Sequence, residues 1–321
     1  MRSAPLTRHS DPTPRSTFIG VDLGGTKTAA GLVASDGQVL IELSAPTPAL
    51  EGPSAIIGAV VDLTTRIRRQ AAERGLSAPE GIGIGSAGVI DPQTGRVLAA
   101  TDHLRAWAGT PLADSVSVAT GLPTRAINDV HAHALGEALH GAGHGKAVVL
   151  VVAVGTGLGG ALVIDGHPMS GARNVAGHLG HVPAPEAEGL PCACGGRGHL
   201  ETVASGTGLL AHYRRRGGDA DDTRQIIDTA ASGDDLASDC VRVAAWALGR
   251  AVGGWINMLD PDVVVVTGGL AQAGPLWWDA LERAARQETI AAAADCPIVR
   301  ASRGAQAAIL GAAALFGKSR P

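Results

Sequence analysis

Apolar residues along this chain follow two alternating rhythms: short runs of Val, Ile, Leu and Ala that end in glycine turns, and longer segments with apolar positions at helical spacing. Phe18 to Leu32, FIGVDLGGTKTAAGL, reads as strand, glycine turn and strand, a β-hairpin with Asp22 and Gly24-Gly25-Thr26 at its bend. Val148 to Val163, VVLVVAVGTGLGGALV, repeats the pattern, which predicts an internal duplication in which each half supplies one phosphate-facing hairpin. Two more glycine turns follow apolar strands: Gly85-Ser86-Ala87-Gly88 after Gly81 to Ile84, and Thr267-Gly268-Gly269 after Val263 to Val266. Helical spacing marks Ser54 to Arg74, Val130 to Leu139 and Asp239 to Met258. An alanine-rich helix around Gly304 to Phe316 is expected to fold back on the first domain. Glu51-Gly52-Pro53 and Leu122-Pro123 fix element ends. Strands alternating with helices predict an α/β architecture.

Length adds domains to that picture. At 321 residues the chain exceeds the usual single core, so two domains with a cleft between them are expected, the chain crossing near Asp129. Aromatics at 2% leave core packing to Ala, Val, Leu and Ile. A net charge of −4 offers no field for wrapping a polyanion, and no basic stripe reverses this, so nucleic-acid binding is not expected. The N-terminal MRSAPLTRHSDPTPRST lacks an apolar h-region and reads as a disordered tail over residues 1–17 rather than a signal peptide. No segment downstream is long and apolar enough to span a bilayer, which predicts a cytoplasmic protein without membrane contact. Its four cysteines are then expected reduced, with Cys192 and Cys194 as metal ligands and Cys240 and Cys296 as buried thiols.

Candidate chemistry gathers at the turns and in one glycine-rich segment. Backbone amides of a glycine turn converge on a small volume and can hold phosphate oxygens. Neither a Walker A loop nor a Rossmann fingerprint is present. Asp22, beside the first turn, can hold Mg2+ directly or through water, or can serve as an Asx turn. Asn128-Asp129 lies between the strand Thr124 to Ile127 and a helix, so Asp129 faces a cleft as a general base or caps the helix. His181, Cys192, Cys194 and His199 offer two imidazoles and two thiolates, and Gly195, Gly196 and Gly198 let the backbone aim them at one ion. That donor set suits structural zinc, and a closed tetrahedron leaves no position for substrate.

Taken together, Asp22-Leu23-Gly24-Gly25-Thr26, Gly85-Ser86-Ala87-Gly88, Asn128-Asp129, Gly155-Thr156-Gly157-Leu158-Gly159-Gly160 and the metal segment ending in Glu201 resemble the ROK sugar kinases of the hexokinase–actin superfamily. The resemblance runs from about Phe18 to the C-terminus. It implies two actin-like (ribonuclease H-like) lobes, a small one of residues 18–128 with 304–321 and a large one of 129–303 carrying the zinc loop. ATP and a sugar meet in the cleft. By resemblance, Asp129 is the base acting on the sugar 6-hydroxyl and Asn128 holds a ring hydroxyl. His181 and Glu201 line the sugar, with Gly88 and His178 beside it, and His181 also binds zinc. Asp22, Gly24, Gly25, Thr26, Lys27, Gly155, Thr156, Gly157, Gly268 and Gly269 hold the Mg2+-bound nucleotide. The family tends toward homodimers.

Two departures from the family pattern bear on this. Most members carry Glu where this chain has His178, and a third cysteine where it has His199. Imidazole replaces thiolate readily in zinc tetrahedra. A neutral His178 accepts at one nitrogen and donates at the other, so it could donate to an acetamido carbonyl. With Ala176-Gly177-His178-Leu179-Gly180-His181 and Ala126-Ile127-Asn128-Asp129, the chain most resembles bacterial N-acetylmannosamine kinases within the family. A glucokinase or an N-acetylglucosamine kinase is the alternative. A sugar-responsive repressor is weaker, because a helix-turn-helix domain needs more sequence than precedes Phe18, and a sugar sensor without turnover would need no base. His131 and His133 read as ordinary packing or surface residues. His103 and Trp107 belong to a loop that borders the sugar by resemblance, with Thr101-Asp102 where an asparagine is usual. Trp277-Trp278 are expected to pack rather than stack on adenine.

Overall fold

The first strands form where β-branched residues meet the first glycine turn. In the computed structural model, which describes residues 15–101 and 103–317, β1 (Thr17–Leu23) turns through Gly24-Gly25-Thr26 into β2 (Lys27–Ala34), and β3 (Val39–Pro46) adds alongside. Residues 1–14 of the expected tail and Asp102 lie outside the described residues, and Thr17 already belongs to β1. Gly52 at φ 88 and Pro53 in the first turn start α1 (Pro53–Glu73), which buries Ile56, Val60, Leu63, Ile67 and Ala71 along one stripe. There follow β4 (Pro79–Ser86), a small hairpin of β5 (Val89–Ile90) and β6 (Val97–Ala99), α2 (Leu112–Thr120) and β7 (Thr124–Asn128). Helix α3 (Asp129–His140) starts on the next residue.

The second half repeats the plan. Its hairpin is β8 (Val148–Val154) and β9 (Leu158–Ile164), with β10 (His167–Pro168) at the edge. An irregular strap with 3-10 turns at Leu179–His181 and Pro185–Ala187 leads into α4 (Glu201–Ala204), α5 (Gly206–Arg215), α6 (Thr223–Ala231) and α7 (Asp235–Leu259). The chain closes with β11 (Val263–Thr267), α8 (Pro275–Glu288), β12 (Ile298–Arg300) and α9 (Ala307–Ala313).

The two sheets run in the orders β3-β2-β1-β4-β7 and β10-β9-β8-β11-β12. In each, an antiparallel hairpin joins two strands that run parallel to its first strand. The duplication expected from the sequence is thus a shared topology. Helix α7 begins at Asp235 rather than Asp239, because the Asp234 carboxylate caps Ala237 N in a first turn without apolar periodicity. The C-terminal helix is α only over Ala307–Ala313, with 3-10 turns on both sides.

Helix α9 does return to the first sheet, and small residues set how closely. A Cβ on Gly20 would lie 1.9 Å from Ile309 O and one on Gly83 1.7 Å from Ala312 O. Where α9 crosses α3, a Cβ on Gly136 or Gly311 would lie 1.9 Å from Ala307 O or 1.8 Å from Ala132 O. Any side chain there would force the helices apart, so this glycine contact fixes α3 and with it Asp129 at its N-terminus. Separate apolar cores flank the two sheets, with Trp107 buried in one and Trp277 and Trp278 packed edge to face at 5.4 Å in the other. Cys240 and Cys296 are buried free thiols.

Candidate active site

The last residue of β7 and the first of α3 form the centre of the site. Asn128 is the N-cap: its Oδ1 accepts from Val130 N at 2.9 Å and His131 N at 3.2 Å. Its Nδ2 donates to Gly88 O and to Asp129 Oδ1, both at 2.9 Å. Asp129 is therefore not the cap; it is the first helical residue, held by the cap. Every hydrogen-bonding position of the Asn128 amide is committed within the protein, so a sugar hydroxyl could engage it only by exchange. Burial pushes the Asp129 carboxyl above the usual carboxylate range, against the lowering effect of its hydrogen bonds from Val130 and Asn128.

Asp22, at the end of β1, is registered with Gly85 of β4. Burial and the Asp129 charge push it up to about 6, while Lys27 pulls it down. A buried carboxylate facing a second one fits a cation of the hard kind that oxygen donors hold. The turn beside it is closed by Gly24 N to Lys27 O at 3.2 Å. Thr47, which no sequence motif marks, clamps this turn: Oγ1 donates to Gly24 O at 2.8 Å and its N–H to Thr26 O at 3.0 Å. Trp107 Nε1 donates to Ser86 Oγ at 3.1 Å, so its place beside the Gly85-Ser86 turn is structural, and His103 lies against Gly25.

The second hairpin presents Gly155-Thr156-Gly157 next to α5. Gly206 N donates to Gly155 O at 2.8 Å, and Thr207 sends both N–H and Oγ1 to Thr156 O. Ser205 caps α5 through Gly208 N at 3.0 Å. The Ser205-Gly206-Thr207 segment is not marked by the strand-then-glycine pattern because it follows a single helical turn rather than a strand; Gly flanked by cap-forming Ser and Thr was the available signal. Gly268, at φ 95, approaches Val154 so closely that a Cβ would lie 2.3 Å from its carbonyl oxygen, which seats the Gly268-Gly269 turn on the end of β8.

The strap residues converge as their types implied. Ligand atoms of His181, Cys192, Cys194 and His199 all lie within 4.8 Å of one another. Cys194 Sγ is 3.2 Å from His199 Nδ1 and Cys192 Sγ 3.7 Å from His181 Nδ1, near the roughly 3.5 Å edge that a tetrahedral zinc with these donors implies. Gly195 and Gly198 take φ of 89 and 73, and a Cβ on Gly196 would meet the His199 ring. The donor set fits a metal ion. Glu201 joins this cluster to the hairpin, since its carboxylate accepts from Leu158 N at 3.1 Å. Arg250 on α7 pairs with Glu186 of the strap and with Glu288 of α8.

His178 stacks 6.0 Å from His181, but its donor role is already spent. Its Nδ1 sits 2.9 Å from Val175 O, and a carbonyl only accepts, so the neutral ring keeps its proton there and offers Nε2 as an acceptor. The expected donation to an acetamido carbonyl does not fit this geometry. Of the packing and surface roles left open for His131 and His133, the structure shows packing. Both are largely buried, His131 with Nε2 3.0 Å from Ala176 O and His133 with Nε2 3.0 Å from Thr267 Oγ1.

Two sheets of one topology, each bringing a glycine hairpin toward a buried carboxylate on a shared helix, define a phosphotransferase of the actin-like kind. The family model described as ROK family matches residues 18–319. A glucokinase of Thermotoga maritima is 33% identical over 277 residues, 82% of this chain and 85% of that protein. An N-acetylmannosamine kinase of Escherichia coli is 34% identical over 259 residues, 80% of this chain and 84% of that protein. A solved ROK family glucokinase from Streptomyces griseus, in complex with glucose and AMPPNP, shares 31% identity over 94% of this chain and 99% of its own, with a TM-score of 0.76. The chain belongs to the ROK family and is an ATP-dependent sugar kinase. Among the described residues no helix is long and apolar enough to cross a membrane.

Proposed function

We propose that this kinase transfers the γ-phosphoryl group of ATP to the 6-hydroxyl of an N-acylated hexosamine, N-acetylmannosamine foremost. The observation that supports the substrate choice is His178, whose Nδ1 is engaged by Val175 O so that Nε2 of the neutral tautomer is left as an acceptor. An acetamido N–H is a donor that Nε2 can accept, and the imidazole imposes no anionic charge beside the acetyl group. Asp129 takes the proton of the 6-hydroxyl as that oxygen attacks the γ-phosphorus in line and ADP leaves. A base whose pKa has been raised toward neutrality accepts that proton more readily than an ordinary carboxylate. Neither the N–H of Gly25 and Thr26 nor that of Thr156 and Gly157 finds an acceptor among the described residues, which supports phosphate binding by both turns.

Asp22 would hold Mg2+ directly or through water; the ion supplies charge neutralisation at the phosphates. His181, Cys192, Cys194 and His199 would hold a structural zinc that fixes the strap. An apolar cavity of about 340 Å³, lined by Ile227, Ala230, Val241, Ala273, Pro275 and Leu276, lies one 3-10 turn beyond Gly269 and suits the nucleoside. Residues 129–303 and the first sheet with its returning C-terminus would act as lobes that close on the substrates and exclude water.

Glucose is the second reading, favoured by the glucose-bound Streptomyces griseus relative. Phosphorylation rates for N-acetylmannosamine, N-acetylglucosamine and glucose at equal subsaturating concentrations separate the two. The acetamido sugar is expected to react fastest, and a clear preference for glucose would overturn the choice.

A further inference from the structure

Two histidines follow the proposed base on α3, and neither belongs to the chemistry assigned above. Two positions apart on a helix, their side chains leave it about 200° apart, so they reach in opposite directions. His131 Nε2 meets Ala176 O at 3.0 Å; the carbonyl can only accept, so Nε2 carries the proton and donates. Ala176 precedes Gly177, which at φ 93 turns the chain into His178 and the Leu179–His181 turn. A Cβ on Gly177 would lie 3.3 Å from that same nitrogen, so the loop and the ring are fitted to each other. His133, one helical turn past Asp129 on the same face, meets Thr267 Oγ1 at 3.0 Å, and Thr267 is the last residue of β11 before Gly268-Gly269.

We propose that His131 and His133 are positioning residues that suspend the sugar loop and the nucleotide turn, respectively, from the helix carrying Asp129. The base and both substrate loops then share one rigid mount, and their relative placement is set by two hydrogen bonds in the interior rather than by the loops themselves. Burial holds both rings below the usual histidine range, which keeps them neutral and able to play these roles near neutral pH. Glycine contacts between α3 and α9 make the mount stiff.

The inference rests on the kinase reading of the site, and steady-state kinetics with both substrates varied tests it separately from that reading. His131→Phe keeps the ring volume and removes the donor, so it should raise the sugar KM about tenfold with the ATP KM within twofold of wild type. His133→Phe should do the reverse, raising the ATP KM about tenfold and leaving the sugar KM alone. Thr267→Val should copy the second effect without touching α3, which decides the matter if His133→Phe does not fold. His131→Gln and His133→Gln, which restore an N–H donor, should recover most of the loss. Equal rises in both KM values, or none, in variants that fold would overturn the inference. Loss of the kinase reading has its own signature, namely no sugar-dependent release of ADP by the wild-type protein, whatever the histidine variants do.

Discussion

Asn128 donates to Asp129 Oδ1 at 2.9 Å with one amide hydrogen and to Gly88 O at 2.9 Å with the other. One side chain thus caps α3, fixes the carboxylate beside it and ties both to the turn after β4. Asn128→Ser separates these tasks, since serine still caps but has no second donor. Stability should fall by only about 1 kcal/mol, while kcat should drop by about 10²-fold because the base loses its fixed orientation. Thermal unfolding and steady-state rates check this, and kcat within twofold of wild type would contradict it.

The acid limb of the pH–rate profile should lie above the ordinary carboxylate range. Burial raises Asp129, and the base works only when ionised, so turnover is full above its folded pKa and is lost as pH falls through it. Because Asp22 and Asp129 repel, the apparent values belong to the pair. A limb at pH 4 or below would contradict the account.

Asp22 should cost stability in the protein without ligands. Its folded pKa of about 6 exceeds the ordinary aspartate value of 3.8, so the folded state binds more protons, and stability falls as pH rises between those values. The shift amounts to at most about 3 kcal/mol at neutral pH. Asp22→Asn should therefore unfold at a higher temperature than wild type at pH 7, with the difference vanishing near pH 4, while its activity collapses. An unchanged or lower Tm at pH 7 would remove the electrostatic argument.

The strap should carry one zinc per chain. Elemental analysis of protein purified without added metal should show it, and Cys194→Ser should weaken retention and lower Tm, since a closed site contributes folding energy. Kinase activity should follow the loss of metal through the strap, which carries His178 and His181 and leads into Glu201, the residues proposed to line the sugar. Metal-free protein with wild-type Tm would contradict the assignment.

Much of this site was legible in the sequence because its chemistry is local. The hairpins announce themselves by apolar runs that end in glycine, and the four strap ligands by residue type within nineteen positions, His181 to His199. What escaped depends on long-range contacts. Thr47 is an isolated polar residue until β3 brings it against Gly24. His131 and His133 read equally as packing or surface positions until strap and β11 pack on both sides of α3. His178 was legible as a substitution, but the proton it has to give is spent on Val175 three residues back, a matter of loop conformation rather than pattern. The start of α7 at Asp235 was hidden because a capped first turn shows no apolar period.

The central claim is that the Asp129 carboxylate removes the proton of the sugar hydroxyl. Phosphoryl transfer by Asp129→Asn, measured with saturating ATP and N-acetylmannosamine on protein whose circular dichroism and Tm match wild type, tests it most directly. The account predicts a loss in kcat of about 10³-fold, in the range expected for removal of a general base. A folded variant that turns over within fivefold of wild type would contradict it.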